Sequence, residues 1–260
     1  MRPLLPRLLA AALLGVAAAA WSQPMRLAFS ELAPWKTRKG NEHGGAYTEI
    51  VRELARRAGL PLVFVDCPLK RCLRLLEVGE ADVVIGLQQS PERARYLHYL
   101  ATPYRVTSSD RVFLVRASDK RRITQYEDLL GLRIAVKQGS EYFDRFDEDT
   151  RLIKDPALTN EASLRKLLLD RVDVVVLAED QAQAQLALMN LHGEIDFAPL
   201  RIPEPTPRAI AVAKASPLMA RLPQLEQAMR EMREDGTLAN IYNRLYYQRY
   251  GLNRQVVVID

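Results

Sequence analysis

Twice in succession the chain alternates short β-branched runs with segments of helical periodicity, and this alternation restricts the fold more than any single motif. In the first unit, Met25 to Phe29 reads as a strand, Thr48 to Ala58 as an amphipathic helix, and Leu62 to Val65 as a strand. Leu69 to Val78 then reads as a helix and Asp82 to Ile85 as a strand. Ile50, Val51, Leu54 and Ala58 share one helix face, and Gly59 with Pro61 ends that helix. After the strand Arg111 to Val115 the series restarts, with Arg133–Val136 and Asp173–Leu177 as strands. The segments 124–131, 160–170 and 180–191 read as helices between and after them. Ala209–Ala213 is one more strand, and helices over 218–234 and 238–249 close the chain. Such alternation implies an α/β fold with mostly parallel sheets covered by helices. Extended segments near 112–117 and 202–209 link the units, which predicts two α/β lobes with the chain crossing out and back. The boundaries expected are 23–114 plus 207–260 for lobe 1 and 115–206 for lobe 2.

Residues 1–22 fall outside this pattern. A basic start with Arg2 and Arg7, thirteen apolar residues from Leu8 to Ala20, and Ala20-Trp21-Ser22 together read as a signal peptide cleaved near Ser22. Thirteen apolar residues are too few for a bilayer span, which needs about twenty. The expectation is therefore an exported chain, located in the periplasm. Without that segment 35 basic side chains face 32 acidic ones, and the two signs are interspersed. A nucleic-acid partner, which would call for a basic stripe with aromatics between, is not expected. In an exported chain the only cysteines, Cys67 and Cys72, predict a structural disulfide. Four residues separate them, not the two of a redox motif, and the three histidines are far apart in sequence, so neither a metal site nor a cofactor is expected. A monomer is expected.

In open α/β sheets ligands bind beyond the carboxyl ends of strands. Two loops hold that position here. Gly86 to Arg93 follows the strand Asp82–Ile85; Ser90 is an N-cap, Pro91 suits a first turn, and the Arg93 guanidinium sits beside the free amides of that turn. Gln138 to Glu141 follows the strand Arg133–Val136 and opens a helix. Two anion-receptive loops, one per lobe, facing one cleft, point to binding of a small anion.

The order and spacing of several segments resemble extracytoplasmic solute-binding proteins of family 3, the amino-acid-binding type that serves ABC importers. They are Ala33-Pro34-Trp35, Gly45-Ala-Tyr-Thr-Glu-Ile-Val51, Gly79-Glu-Ala-Asp-Val-Val-Ile-Gly86, Ser90-Pro-Glu-Arg93 with Ala101-Thr-Pro-Tyr104, Val136-Lys-Gln-Gly-Ser140, and Arg233-Glu-Asp-Gly-Thr-Leu238. The resemblance implies a type II periplasmic-binding-protein fold with a two-strand hinge that closes on a solute and presents it to a permease. It implies that Arg93 pairs with a ligand carboxylate and that Ser90 adds a hydroxyl. Leu87 and Gln88 would give backbone contacts, and the amides of Gly139 and Ser140 together with the Ser140 hydroxyl would hold the same carboxylate at a helix start. Glu141, Glu31, Trp35 and Tyr47 complete the expected binding set from cleft-side loops.

The chain departs from the family pattern in three places. Ala178 stands where an aspartate usually meets the ligand ammonium, with Glu179 the candidate to take its role. Leu69 stands where an aromatic usually covers the ligand, and Gln88 where a hydroxyl is expected. A carboxylate ligand is thus better supported than an α-amino acid. The function expected is binding without catalysis. The alternatives are a dehydratase-like enzyme on the same scaffold, with Glu141 or Glu179 as general acid, and a ligand-sensing subunit for a membrane receptor.

Overall fold

The computed structural model describes residues 23–106, 109–119, 122–204 and 206–251, so the expected signal segment lies outside the described residues. Its twelve strands form two five-stranded sheets and a hairpin. In the first sheet β1 (Met25–Phe29) is central to the parallel part. The hairpin of β2 (Thr37–Lys39) and β3 (Glu42–Gly44) follows it. The sheet is completed by β4 (Leu62–Asp66), β5 (Val83–Val84), β6 (Leu97–Tyr99) and a late-returning strand at Ala211–Ala213, β12. The order is β4-β1-β5-β12-β6. β1 runs parallel to β4 and β5, while β12 is antiparallel to both neighbours.

The second sheet takes β7 (Arg111–Arg116), β8 (Arg133–Lys137), β9 (Ile153–Ala157), β10 (Val174–Ala178) and β11 (Ile195–Ile202) in the order β11-β7-β10-β8-β9. β8 is parallel to β9 and β10, and β7 is antiparallel to β10 and β11. All of β7, including 111–114 that the sequence reading placed in the first lobe, pairs in this second sheet. Its side chains Val112 to Leu114 are fully buried against β10 and β11, so the chain crosses before Arg111. The outgoing and returning segments touch as a bridge between Arg105 and Arg208.

Helices cover both sheets. In the first lobe these are α1 (Ala46–Arg57), α2 (Leu69–Glu77) and the four-residue α3 (Pro91–Ala94). The second lobe has α4 (Asp144–Glu148), α5 (Asn160–Leu168) and α6 (Glu179–Met189). The described residues close on α7 (Leu222–Glu234) and α8 (Thr237–Tyr242), which pack back on α1, followed by a π-helical turn, Asn243–Tyr247, and the short α9 (Gln248–Tyr250). Ile50, Val51 and Leu54 of α1 are the fully buried stripe that the spacing predicted. Gly45, ahead of α1, has φ +98°, and a Cβ there would stand 2.3 Å from the Trp35 carbonyl oxygen, so only glycine fits. Among the described residues no helix is long and apolar enough to cross a membrane.

Each lobe repeats one polar device. Asp82 precedes β5 and accepts the Arg26 amide at 2.8 Å and both ends of the Arg26 guanidinium at 2.9 and 2.7 Å. Asp173 precedes β10 and treats Arg133 in the same way, at 2.8, 3.0 and 3.1 Å. A carboxylate at the start of one parallel strand thus fixes the start of its neighbour by bidentate pairing. The disulfide Cys67–Cys72 is present and ties the end of β4 to the first turn of α2.

Candidate functional site

The carboxyl ends of β1, β5, β8 and β10 and the amino end of antiparallel β7 converge where the lobes meet. They enclose a cavity of about 90 Å³. Its walls include Trp35, Tyr47, Leu69, Leu87, Gln88 and Arg93 from the first lobe, with Tyr104, Arg105 and Arg208 from the crossing segments. Arg111, Lys137, Ser140, Glu141, Asn160, Ala178 and Asp180 line the other side.

Arg93 is 3 % exposed despite its charge. Ser90 caps α3 as expected, its hydroxyl accepting the Arg93 amide at 3.3 Å. The turn that starts at Ser90 sends the guanidinium across the cleft. One nitrogen donates to the Gln88 carbonyl (3.0 Å) and the other to the Gly139 carbonyl of the second lobe (3.0 Å). Glu141, also from the second lobe, stands 3.1 Å from the same guanidinium. Further bonds hold the lobes together. Lys137 Nζ donates to the Glu31 carbonyl at 2.6 Å, Gln185 to the Ala33 carbonyl at 2.8 Å, and Arg111 to the Gln88 amide oxygen at 2.8 Å. The cleft is closed.

Gly139 makes this approach possible. Its φ is +81°, and a Cβ added there would lie 3.2 Å from the Lys70 amide nitrogen in the first turn of α2. The turn at 137–140 differs from the helix start expected there. The Ser140 amide donates to the Lys137 carbonyl (3.0 Å), and the helix begins only at Asp144. Ser140 thus lines the cavity with its amide already bonded to Lys137, and Gly139 gives its carbonyl to Arg93.

A second buried ion pair closes the hinge side. Arg105 Nη1 lies 2.9 Å from Asp180 and donates to the Tyr47 hydroxyl at 3.0 Å. The other Asp180 oxygen accepts the Ser109 hydroxyl (2.7 Å) and the Gln181 amide (2.8 Å). Burial works against the Arg105 charge, but the Asp180 carboxylate outweighs it and holds the guanidinium well above its ordinary pKa. Arg111 and Arg208 share Glu204, at 2.7 and 3.3 Å. Burial and then Arg208 push the Arg111 pKa down. Burial also lowers Lys137, to about 8, against the opposing pull of Glu31. Lys36, behind the cavity wall, falls to about 7 through burial and the neighbouring Lys137 charge.

The sequence profile of bacterial extracellular solute-binding proteins, family 3, matches residues 26–248. The chain belongs to this family. Its fold is that of type II periplasmic binding proteins, as solved structures confirm. An ancestral arginine-binding protein bound to arginine superimposes with a TM-score of 0.73 at 22 % identity, covering 87 % of this chain and 99 % of the other. The GluR0 ligand-binding core from Nostoc punctiforme, in complex with L-glutamate, gives 0.72 at 17 % identity over 86 % and 99 %. The probable histidine-binding protein of Campylobacter jejuni is 20 % identical over 172 residues, 63 % of this chain, and the match spans 64 % of that protein's length.

Within this family-3 chain, Arg93, Leu87, Gln88, Ser140, Glu141, Trp35 and Tyr47 line the cavity. Ser90 and Gly139 stand behind Arg93. Trp35 is 2 % exposed and stacks on Tyr47 and Tyr246 at centroid distances of 5.6 and 5.4 Å. Glu31 lies outside the cavity, on an exposed loop at the cleft mouth, and reaches Lys137 through its carbonyl. Glu179 turns away from the cavity and pairs with Arg201 at 2.7 Å. Asp180, one residue further into α6, is the carboxylate that enters. Sequence reasoning missed Arg105, Arg111, Lys137, Asp180 and Arg208. Their signal was positional: Arg111 and Lys137 are charges at the ends of otherwise apolar strands, and Arg105 and Arg208 flank the crossings.

Proposed function

We propose that this protein captures a small carboxylate-bearing solute, an amino acid or a relative of one, by closure of its lobes in the periplasm and delivers it to an ABC importer. The observation that carries the reading is Arg93. It is a buried guanidinium whose partners come from both lobes and whose Nε lacks a hydrogen-bond partner. A planar fork of donors matches a carboxylate. Glu141 already offers it one at 3.1 Å, and a solute carboxylate would replace that group.

Leu87, Gln88 and Ser140 would border the solute, Tyr47 and Trp35 would form its apolar wall, and Ser90 and Gly139 would position Arg93. The mechanism is closure without bond chemistry. A solute that touches both lobes stabilises the closed state, because only there are all its contacts made.

The test is a thermal-shift screen of protein refolded from denaturant, with amino acids, dicarboxylates, aromatic acids and polyamines, and Arg93→Ala as control. A solute at a hundred times its Kd adds about 2.7 kcal/mol of stability. A carboxylate that stabilises the native chain and not Arg93→Ala is the expected result, with a loss of about 2–5 kcal/mol in binding. Absence of any Arg93-dependent carboxylate overturns the proposal.

A further inference from the structure

The charges around the cavity are out of balance. Arg93, Arg105, Arg111, Lys137 and Arg208 line it, against Glu141 and Asp180 among the described residues. Glu204 stands behind the wall and serves Arg111 and Arg208 together. Five cationic side chains thus meet three carboxylates in and just behind the cavity wall.

The hydrogen bonds tell the same story. Nε of Arg93, of Arg105 and of Arg111, and Nη2 of Arg105, are buried without an acceptor. Guanidinium donors left so are costly, and anionic oxygens are what they lack. The carboxylate oxygens without a hydrogen bond are differently placed. Those of Glu141, Asp180 and Glu204 already face guanidinium nitrogens at 3.1, 2.9 and 2.7 Å. An entering ammonium would meet carboxylates whose charge is already matched. It would also stand among guanidiniums and Lys137, whose ammonium is itself held by a carbonyl oxygen.

Gln88 joins the two cationic ends. Its carbonyl accepts from Arg93 and its side-chain oxygen from Arg111, so one residue's reach separates guanidiniums of different lobes. Glu141 keeps a quarter of its side chain exposed and is able to swing out to solvent when Arg93 takes another carboxylate. With it gone the surplus positive charge grows by one.

We infer that the solute is a short dicarboxylate without an ammonium group, one carboxylate on Arg93 and the other at Arg111 and Arg208. This deepens the proposal of a carboxylate-binding cleft and rests on it. Where an α-amino acid site must offer a free carboxylate to the ligand nitrogen, this cleft offers a second cation.

The experiment is calorimetric titration of the refolded full-length mature chain, at fixed ionic strength and pH 7, with malonate, succinate, glutarate, L-aspartate, L-glutamate and L-arginine. Succinate and aspartate form the decisive pair, since they differ by one ammonium group. The expected result is that at least one ammonium-free dicarboxylate binds tenfold or more tighter than any amino acid, and that Arg93→Ala abolishes this. Arg111→Met should weaken the dicarboxylate at least tenfold, and by a larger factor than it weakens a monocarboxylate such as butyrate; equal losses for the two would overturn the placing of the second carboxylate. If that variant fails to fold, the comparison on the native protein decides alone. An amino acid binding as tightly as the dicarboxylates through Arg93 overturns this inference and leaves the carboxylate cleft standing. Failure of every carboxylate overturns both.

Discussion

Replacing Arg105 with methionine tests how the hinge side of the cleft is held. The Asp180 side chain has no exposed surface, and the Arg105 guanidinium is 2.9 Å away. Breaking a buried pair by removing one partner typically costs about 3–5 kcal/mol, because the remaining charge stays buried. Here the other Asp180 oxygen keeps its bonds from Ser109 and Gln181, which places the expected cost near the lower figure. For a chain of this size each kcal/mol moves the melting temperature by about 2–4 °C, so Arg105→Met should melt roughly 6–12 °C lower. Adding Asp180→Asn removes the stranded charge and keeps an oxygen for Ser109, so the double variant should recover most of the loss. The assay is differential scanning calorimetry of the ligand-free protein at pH 7. A single variant that melts within 2 °C of the native chain, or a double variant no more stable than the single one, would refute the reasoning.

Three further outcomes follow from the same geometry. Gly139→Ala sets a Cβ against the Lys70 amide in a left-handed turn, so it should weaken binding of the solute about tenfold by calorimetry; unchanged affinity would show that the lobes need not approach this closely. Lys36 is buried, donates to the Ile85 carbonyl at 3.0 Å, and titrates at about 7 in the fold against 10.5 when unfolded. The unfolded chain binds the extra proton between those values, so stability should rise with pH across that window, and urea unfolding of Lys36→Met should show a flatter rise and a more stable protein at pH 7. Replacing both Cys67 and Cys72 with serine removes a six-residue loop closure worth about 2 kcal/mol, read as a lower urea midpoint; an unchanged midpoint would place the cross-link outside the stability of the first lobe.

Strands and helices with a clear period were legible from sequence. α1 and α2, and the strands at 25–29, 111–116, 133–137 and 174–178, stand within two residues of the expected places. What the sequence hid has physical causes. β9 reads Ile-Lys-Asp-Pro-Ala and has no apolar period, yet it survives as an edge strand, where Pro156 needs no ladder partner on its outer side. The hairpin at 37–44 is polar throughout. β12 and β7 run antiparallel to their sheets because each follows a crossing, which turns the amino end of β7, and so Arg111, towards the cleft. That reversal explains why the Arg93 loop was legible while Arg111, Arg208 and Arg105 were not. A rule that looks only beyond carboxyl ends of strands passes over them. Asp180 was hidden by one residue of helical rotation: α6 turns Glu179 to Arg201 and carries Asp180 inward.

Small-angle X-ray scattering of the refolded protein, with and without saturating solute from the screen, bears most directly on capture by closure. The saturated protein should scatter as this closed structure does, with Arg93 facing Gly139 and Lys137 reaching Glu31, and the solute-free protein should have a larger radius of gyration. Arg93→Ala at the same solute concentration should keep the larger value. A native protein that binds solute by calorimetry and shows no change in its scattering would contradict capture by lobe closure.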